Sequence, residues 1–403
     1  MKILIVEPNG NGHHMALYVS HVVQRLVDEK CDVSLLTTRL AVEHPSFKSL
    51  QGYQEKINIY YLPELPLKDG NSAWKLFLQQ TKCWLTLRRE FKKIQSQFDF
   101  NIIYMPTVDW LAKAMEVFGS PFSSTSFVAL YMSPKHHRKS MGLGPASRHD
   151  WLYKKMFQRL LRIPTLRSVL VIDEFFQDYC KEQYGLLAQK VEYVPDFGKI
   201  RGVGTKEECR AKIGISCKSK LLLVYGSLTK RKGIMQLIEA LDRPDSPKDL
   251  KVVLAGRASE DMDSFIASAV MQKMIKEKRI FLRLYFHDDL DEFCIFKAAD
   301  YVWLGYTDGF YGSSAVLYQA LHAGLAVIAM EQGLIGKIVR KYRLGVTVNP
   351  SRQDSILQGL NQIVLSQFTH TTDELFLLKE FVNMHTPEVH STVVFNALLK
   401  GKI

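Results

Sequence analysis

The stretch 301–329, YVWLGYTDGFYGSSAVLYQALHAGLAVIA, constrains the fold more than any other part of the chain. Residues 301–304 are a short apolar run without alternation, the pattern of a strand covered on both faces in a parallel sheet. A loop of small residues follows, with Gly309, Gly312, Ser313 and Ser314. Val316, Leu317, Ala320 and Leu321 then open a helical apolar stripe, Gly324 stands where a helix C-cap is expected, and Val327 and Ile328 begin another strand. Small side chains in such a loop let a ligand approach the backbone, and the N–H groups of the helix's first turn point at an anion. The expectation is a phosphate-facing βαβ corner.

A chain of 403 residues is too long for one ordinary core, so two domains of about 200 residues are expected. Its 47% hydrophobic and 23% charged content are those of a globular protein. No uncharged apolar run approaches the roughly 20 residues of a membrane-spanning helix. The opening MKILIVEPNG carries one lysine and a short apolar run before Glu7 and Pro8, which reads as a first strand rather than a signal peptide. Cys31, Cys83, Cys180, Cys209, Cys217 and Cys294 are scattered without metal-ligand spacing, as thiols of a reducing, cytoplasmic compartment would be. A net charge of +12 calls for acidic partners. Nucleic acid is set aside, since there is no zinc finger, RNA-binding aromatic motif or basic arm. A nucleotide diphosphate and an anionic membrane surface remain.

In chain order, strands are expected over 2–6, 31–37, 57–62, 101–105, 127–132, 169–172 and 191–194, with helices over 15–27 and 74–94. The first loop, Pro8-Asn9-Gly10-Asn11-Gly12-His13-His14, has GxG, but Met15 occupies the place of a third dinucleotide-fingerprint glycine. In the helix over 74–94, Lys75, Lys82 and Arg89 fall on one side, with Phe77, Trp84 and Phe91 nearly opposite. This is the composition of an interfacial helix meeting anionic lipid, and equally of a solvated face whose aromatic side enters the core. Residues 135–167 carry Lys135, Arg138, Lys139, Arg148, Lys154, Lys155, Arg159, Arg162 and Arg167 against Asp150 alone. A Gly-rich break at 195–204 marks the domain boundary, with domains over 1–198 and 199–385 and a final helix, 386–403, packing back on the first. Beyond it the rhythm restarts: strands over 221–225, 251–254 and 280–286, and helices over 233–241, 262–276 and 290–298.

Gly226-Ser227-Leu228-Thr229-Lys230-Arg231-Lys232-Gly233 follows the second domain's first strand and opens a helix. It lacks the GxxxxGK[ST] of a P-loop, but a glycine turn with three cations at a helix start suits a diphosphate. With Gly312, Ser313 and Ser314 it defines two anion-attracting corners of one site. His287-Asp288-Asp289-Leu290-Asp291 has the look of a metal-binding DxD, but its place between strand and helix suits Asp288 or Asp289 as N-cap and first-turn acids.

Across 205–350 these motifs resemble the GT-B glycosyltransferases, above all the retaining family 4. GSLTKRKG is similar to that family's G-R-L-x-x-x-K-G, with Ser227 in place of Arg. YGSSAVLYQA, 311–320, is similar to its E-G-F-G-x-x-x-x-E-A, with Tyr311 and Gln319 in place of the two acids, and AGLAVI, 323–328, is similar to its small-Gly-x-P-V-I strand. The resemblance implies an α/β fold of GT-B type, two Rossmann-like doubly wound domains facing a central cleft. It implies an acceptor-binding domain first and a nucleotide-sugar donor domain second.

By the same resemblance, Lys232 is the phosphate lysine, Gln319 takes the ribose-holding place, and Ser227, Arg231, Tyr311, Gly312, Ser313 and Ser314 border the donor. His287 is expected beside the base. Gly12, His13 and His14 are expected to meet the sugar or diphosphate, so His13, His14 and Lys232 are the residues expected to carry the reaction. The family transfers with retention and no protein nucleophile is nominated; no metal or other cofactor is implied. The expected activity is transfer of a hexose from a nucleotide-diphosphate sugar to a lipid-linked or polysaccharide acceptor, in the cytoplasm or at the inner membrane face. Tyr311 and Gln319 leave a second reading open, a catalytically degenerate binding or scaffold subunit of the same fold.

Overall fold

The computed structural model describes the chain except residues 11–13, 68–71, 135, 146–149, 216–218, 286, 308, 366–371 and 401–403 and the side chains of 73 and 372–374. Gly12, His13, Lys135, Arg148, Cys217 and Asp308 therefore lie outside the described residues.

The chain divides into two compact units. The first comprises Met1–His137, Pro145–Pro195 and Pro387–Ile403. Its strands are β1 (Lys2–Val6), β2 (Asp32–Thr38), β3 (Ile57–Leu62), β4 (Ile102–Met105), β5 (Phe127–Tyr131), β6 (Leu166–Val171) and β7 (Val191–Tyr193), in the spatial order β3-β2-β1-β4-β5-β6-β7. The second comprises Arg138–Gly144 and Asp196–Thr386. It holds β8 (Lys220–Tyr225), β9 (Leu250–Ala255), β10 (Ile280–Arg283), β11 (Tyr301–Leu304), β12 (Ala326–Met330) and β13 (Gly345–Val348), in the order β10-β9-β8-β11-β12-β13. Every pairing in both sheets is parallel. Each sheet thus reverses direction beside its first strand, between β1 and β4 and between β8 and β11. In such sheets ligands sit at the carboxyl ends of the strands flanking that point.

Helices cover both faces, which is why the strands read as unbroken apolar runs. In the first unit these are α1 (Ser20–Asp28), α2 (Arg39–Glu43), α3 (Ala73–Gln95), α4 (Ala112–Phe118), α5 (Asp150–Leu161) and α6 (Glu174–Tyr184). The second unit carries α7 (Lys206–Lys212), α8 (Ile234–Asp242), α9 (Glu260–Ile266), α10 (Ala269–Lys276), α11 (Asp289–Ala298), α12 (Ala315–His322), α13 (Gly333–Lys341), α14 (Gln353–Leu365) and α15 (Thr372–Met384). The final helix, α16 (Pro387–Leu399), lies in the first unit against α1, where buried His390 donates from Nδ1 to the Pro195 carbonyl at 2.8 Å.

Several boundaries differ from the sequence reading for identifiable reasons. The units part between Pro195 and Asp196 rather than after 198, because Asp196 and Gly198 pack on the start of α12. The helix expected from Met15 opens as a π-helical turn, Met15–Val19, in which the Ser20 N–H reaches back to the Met15 carbonyl. The helix expected over 262–276 breaks at Ser268, whose extended backbone starts α10. The strand expected to 286 ends at Arg283, because its partner β9 stops at Ala255 and Gly256, with φ of +127°, turns away. The basic segment 135–167 is not one surface: Arg138 and Lys139 belong to the second unit and α5 to the first.

Candidate functional site

In the second unit β8 and β11 are hydrogen-bonded neighbours, so the loops 226–233 and 305–314 leave the sheet side by side. Gly226, with φ of +94°, turns the first loop, and Lys230–Lys232 form one tight turn. Gly233, with φ of +64°, then opens α8. A Cβ on Gly233 would sit 2.1 Å from the Gly305 carbonyl oxygen, so glycine is needed where the two loops touch. The contact is tied by the Thr307 N–H on the Arg231 carbonyl (2.8 Å) and the Trp303 indole N–H on the Lys232 carbonyl (2.8 Å).

The cations gather over aromatic faces in this corner. Lys232 Nζ donates to the Tyr225 carbonyl and lies 5.6 Å from the centre of the Tyr306 ring. The Arg231 guanidinium lies 4.9 Å from the centre of Phe310, which stacks on Tyr306 at 4.2 Å. Arg138, reaching in from the segment Arg138–Gly144, donates to the Gly309 carbonyl at 3.1 Å. Ser227 and Lys230 are solvent-exposed at the rim.

The Tyr306 hydroxyl meets Ser314 Oγ at 3.0 Å, so the lysine corner and the serine corner converge through one tyrosine. Ser314 is the N-cap of α12 and its side chain makes no cap bond, leaving the first-turn N–H groups to face the loop. Ser313 is committed differently from its expected part: its hydroxyl donates to the buried Asp196 carboxylate at 2.5 Å. At the other end of α12, Gly324 closes a Schellman turn, with Leu325 N–H on the Ala320 carbonyl and Gly324 N–H on that of Leu321.

Tyr225 links this corner to a second group of residues. Its hydroxyl donates to Glu292, which also accepts from Gln319 Nε2 at 2.8 Å. Burial raises the Glu292 pKa, and the two donors act against it. His287 is buried, with its ring 6.1 Å from Tyr225 and 4.3 Å from Tyr285, and Nε2 donates to the Arg283 carbonyl at 3.1 Å. Burial depresses its pKa, so the ring is neutral. Tyr311 is buried in the loop. Asp288 caps α11 through the Asp291 N–H (2.8 Å), and Asp291 pairs with Lys212 (3.0 Å), so both acids of that motif have structural partners.

Residues 205–374 match the family Glycosyl transferases group 1. This part of the chain is similar to the group 1 glycosyl transferases. The match begins at Thr205, the N-cap of α7, and takes in every strand of the second unit. An uncharacterized glycosyltransferase of Methanocaldococcus jannaschii is 30% identical over 155 residues, a match spanning 38% of this chain and 38% of the relative's own length. Anabaena HepE, solved in complex with UDP and glucose, superposes with a TM-score of 0.65 at 16% identity over 99% of both chains. For sucrose-phosphate synthase of Thermosynechococcus elongatus the TM-score is 0.69 at 14% identity over 98% of both chains. For the lipopolysaccharide outer core galactosyltransferase WaaB it is 0.64 at 15% identity over 99% of both chains. At these identities the likeness establishes the fold, GT-B with two Rossmann-like units.

Within the matched region the structure brings together Arg231, Lys232, Gly312, Ser313 and Ser314, with His287 and Gln319 around Tyr225. Sequence reasoning missed Tyr225, Glu292, Tyr306, Phe310 and Arg138. Tyr306 and Phe310 were visible as the aromatic residues of a small-residue loop, whereas Arg138 lies in the other half of the sequence. Asp300, just ahead of β11, is structural: it pairs with Arg210 (2.6 Å) and Lys206 (2.7 Å).

At the matching end of the first unit's sheet stands Glu7, fully buried after β1. Oε1 accepts the Asn9 N–H at 2.9 Å, and Oε2 lies 3.9 Å from His14 Nδ1. Burial pushes the Glu7 pKa up to about 8, so it is mostly protonated at neutral pH. His14 is part-exposed at the start of the helical stretch. Further along the sheet, His137 Nε2 meets Asp173 Oδ2 at 2.9 Å in full burial, and His136 bonds the Tyr184 hydroxyl at 2.7 Å.

Proposed function

We propose that the protein is a glycosyltransferase moving a hexose from a nucleotide-diphosphate sugar to a lipid-linked or polysaccharide acceptor with retention of anomeric configuration. The observation that carries this reading is the convergence of Lys232, Arg231 and Arg138 with the start of α12 at the point where the second sheet reverses. Departure of the nucleoside diphosphate builds negative charge on its oxygens, and fixed cations with helix N–H groups stabilise that charge without reorganising. Lys232 is the principal phosphate ligand in this reading, Arg231 and Arg138 replace the guanidinium absent at Ser227, and His287 and Tyr285 border the base. His14, 3.9 Å from Glu7, presents its imidazole to the sugar or acceptor. No protein nucleophile and no metal are part of the proposal.

Two features support an acceptor at an anionic membrane surface. α3, α4 and α5 pack side by side, and Trp74 and Trp151 on them are 67% and 66% exposed, with Leu78, Leu85 and Phe118 also exposed. Lys75, Lys82, Arg88 and Arg89 surround them on α3, an apolar surface ringed by cations. The aromatic row expected to flank the cations is largely spent elsewhere: Trp84 and Phe91 lie in the core, and Trp74 and Phe118 take the exposed role. Among the described residues no helix is long and apolar enough to cross a membrane. On this reading the protein works in the cytoplasm, at the inner face of the membrane. Sedimentation with anionic vesicles should fall when Lys75, Lys82 and Arg89 become Glu, and indifference to that change removes the membrane part.

The test of the activity is release of nucleoside diphosphate from a panel of UDP-, GDP- and ADP-hexoses, with and without membrane lipid extract. Turnover of one donor is expected. Binding of a nucleotide without turnover of any donor favours the scaffold reading.

A further inference from the structure

We propose that Glu7, Thr37 and Tyr104 bind one internal water molecule at the centre of the first unit's sheet, and that this water anchors the first glycine loop. The inference is independent of the nucleotide-sugar reading.

The sheet brings the three residues together. Glu7 follows β1 with its N–H on the Leu36 carbonyl (3.1 Å), and the register that pairs Val6 with Leu36 sets Glu7 beside Thr37. Tyr104 on β4 pairs with Ile5, two residues before Glu7, so all three fall on one face of the sheet. Each is completely buried. Among the described residues Glu7 Oε2, Thr37 Oγ1 and the Tyr104 hydroxyl have no hydrogen-bond partner, one another included. His14, the N-cap of the π-helical turn, closes the group on one side, with Nδ1 3.9 Å from Glu7 Oε2.

Three such atoms side by side demand a shared partner, because a buried polar group left unmatched costs more than a hydrogen bond returns. Adjacent strands run about 4.8 Å apart, too far for a direct bond and the span of one water making two bonds of about 2.8 Å. Water also fits the donor count. Glu7 Oε1 accepts the Asn9 N–H, so the proton that burial keeps on the carboxyl sits on Oε2 and is donated inward. Burial, with Glu7 close by, holds the Tyr104 phenol above its usual pKa, so that hydroxyl keeps its proton as well. A water accepting from Glu7 and exchanging bonds with two hydroxyls has the three partners usual inside a protein. A metal cation is the poorer match, since a protonated carboxyl and two hydroxyls bring no negative charge. The water fixes the carboxyl whose other oxygen turns the loop at Asn9, and next to Thr37 the Thr38 hydroxyl donates to the Pro8 carbonyl at 3.1 Å.

The experiment measures oxygen-17 water relaxation dispersion and urea unfolding of the full chain for wild type, Thr37→Val, Tyr104→Phe, the double variant and Glu7→Gln. The dispersion counts waters held inside the protein for longer than it tumbles. The double variant should lose one such water, and Glu7→Gln, whose amide still donates, should keep it. Each single variant should lower the urea midpoint by about 0.3–0.5 M, the loss of one neutral hydrogen bond. Were the hydroxyls orphans instead, deleting one would relieve a buried polar group and the midpoint would rise. A rise in either single variant, or an unchanged dispersion in the double variant, overturns the water site.

Discussion

Strand for strand, the two units share one order at the centre of their sheets, β2-β1-β4 and β9-β8-β11, yet the ends of those strands carry opposite chemistry. The second unit offers cations over aromatic rings, with Tyr306 on Ser314, Ser313 on Asp196, and Tyr225 and Gln319 on Glu292. The first offers a buried carboxyl: Glu7 Oε2 has no hydrogen-bond partner among the described residues, and neither do the nearby buried hydroxyls of Thr37 and Tyr104. The shared topology therefore dictates where a site lies, while the loop residues decide which charge it receives. On the proposed reading the cation corner takes the diphosphate, and the neutral, proton-holding edge takes sugar and acceptor hydroxyls.

Four changes should break or sharpen this contrast. The largest effect is expected in the first unit, at the buried His137–Asp173 pair, where Asp173 also caps α6 through the Phe176 N–H. Asp173→Ala strands an imidazole and should cost about 3–5 kcal/mol in urea unfolding, with nucleotide affinity retained in whatever fraction is folded. A loss below about 1 kcal/mol would show that this network does not hold the first unit. Lys232→Ala should leave unfolding nearly unchanged but lower kcat/KM about 100-fold, near 2.7 kcal/mol of transition-state stabilisation, because the lysine's anionic partner arrives with the donor and its charge grows in the reaction. The same substitution at His14 should be milder.

A further change acts through pH, as a slope rather than a single loss. Glu7 holds its proton in the fold up to about pH 8 against 4.5 when unfolded, so the folded state binds more protons across that window. Stability then falls as pH rises from 4.5 to about 8, by at most about 1.4 kcal/mol per unit. Glu116 on α4, pushed up to about 8 by burial, adds a slope of the same sign. The buried His136 and His390, depressed to about 3 and about 4, act oppositely, losing stability as pH falls below 6.5. Glu7→Gln should flatten part of the alkaline limb and leave the acid limb as it was. An unchanged alkaline limb would mean that Glu7 is ionised.

Much of this fold is legible in the chain because parallel strands buried on both faces leave runs such as YVWL and AVIAM, and because glycines mark the turns at the sheet ends. Gly226, Gly233 and Gly324 take positive φ there. Site residues on those loops could be read for the same reason. Glu292 and Arg138 could not: each is an ordinary charged residue on its own element, and only the approach of α11 to α12, or of Arg138–Gly144 to Gly309, gives it meaning. Asp196 looked like part of a linker, yet its partner lies 117 residues ahead. Pattern within a segment is local, whereas the pairing of distant polar side chains is decided by packing.

The most direct test of the central claim is a crystal structure with the nucleoside diphosphate of the preferred donor. The account predicts the diphosphate within hydrogen-bond distance of Lys232 Nζ and of the first-turn N–H groups of α12, with the ribose beside Gln319. A diphosphate bound elsewhere, with Lys232 still turned to the Tyr225 carbonyl, would contradict it.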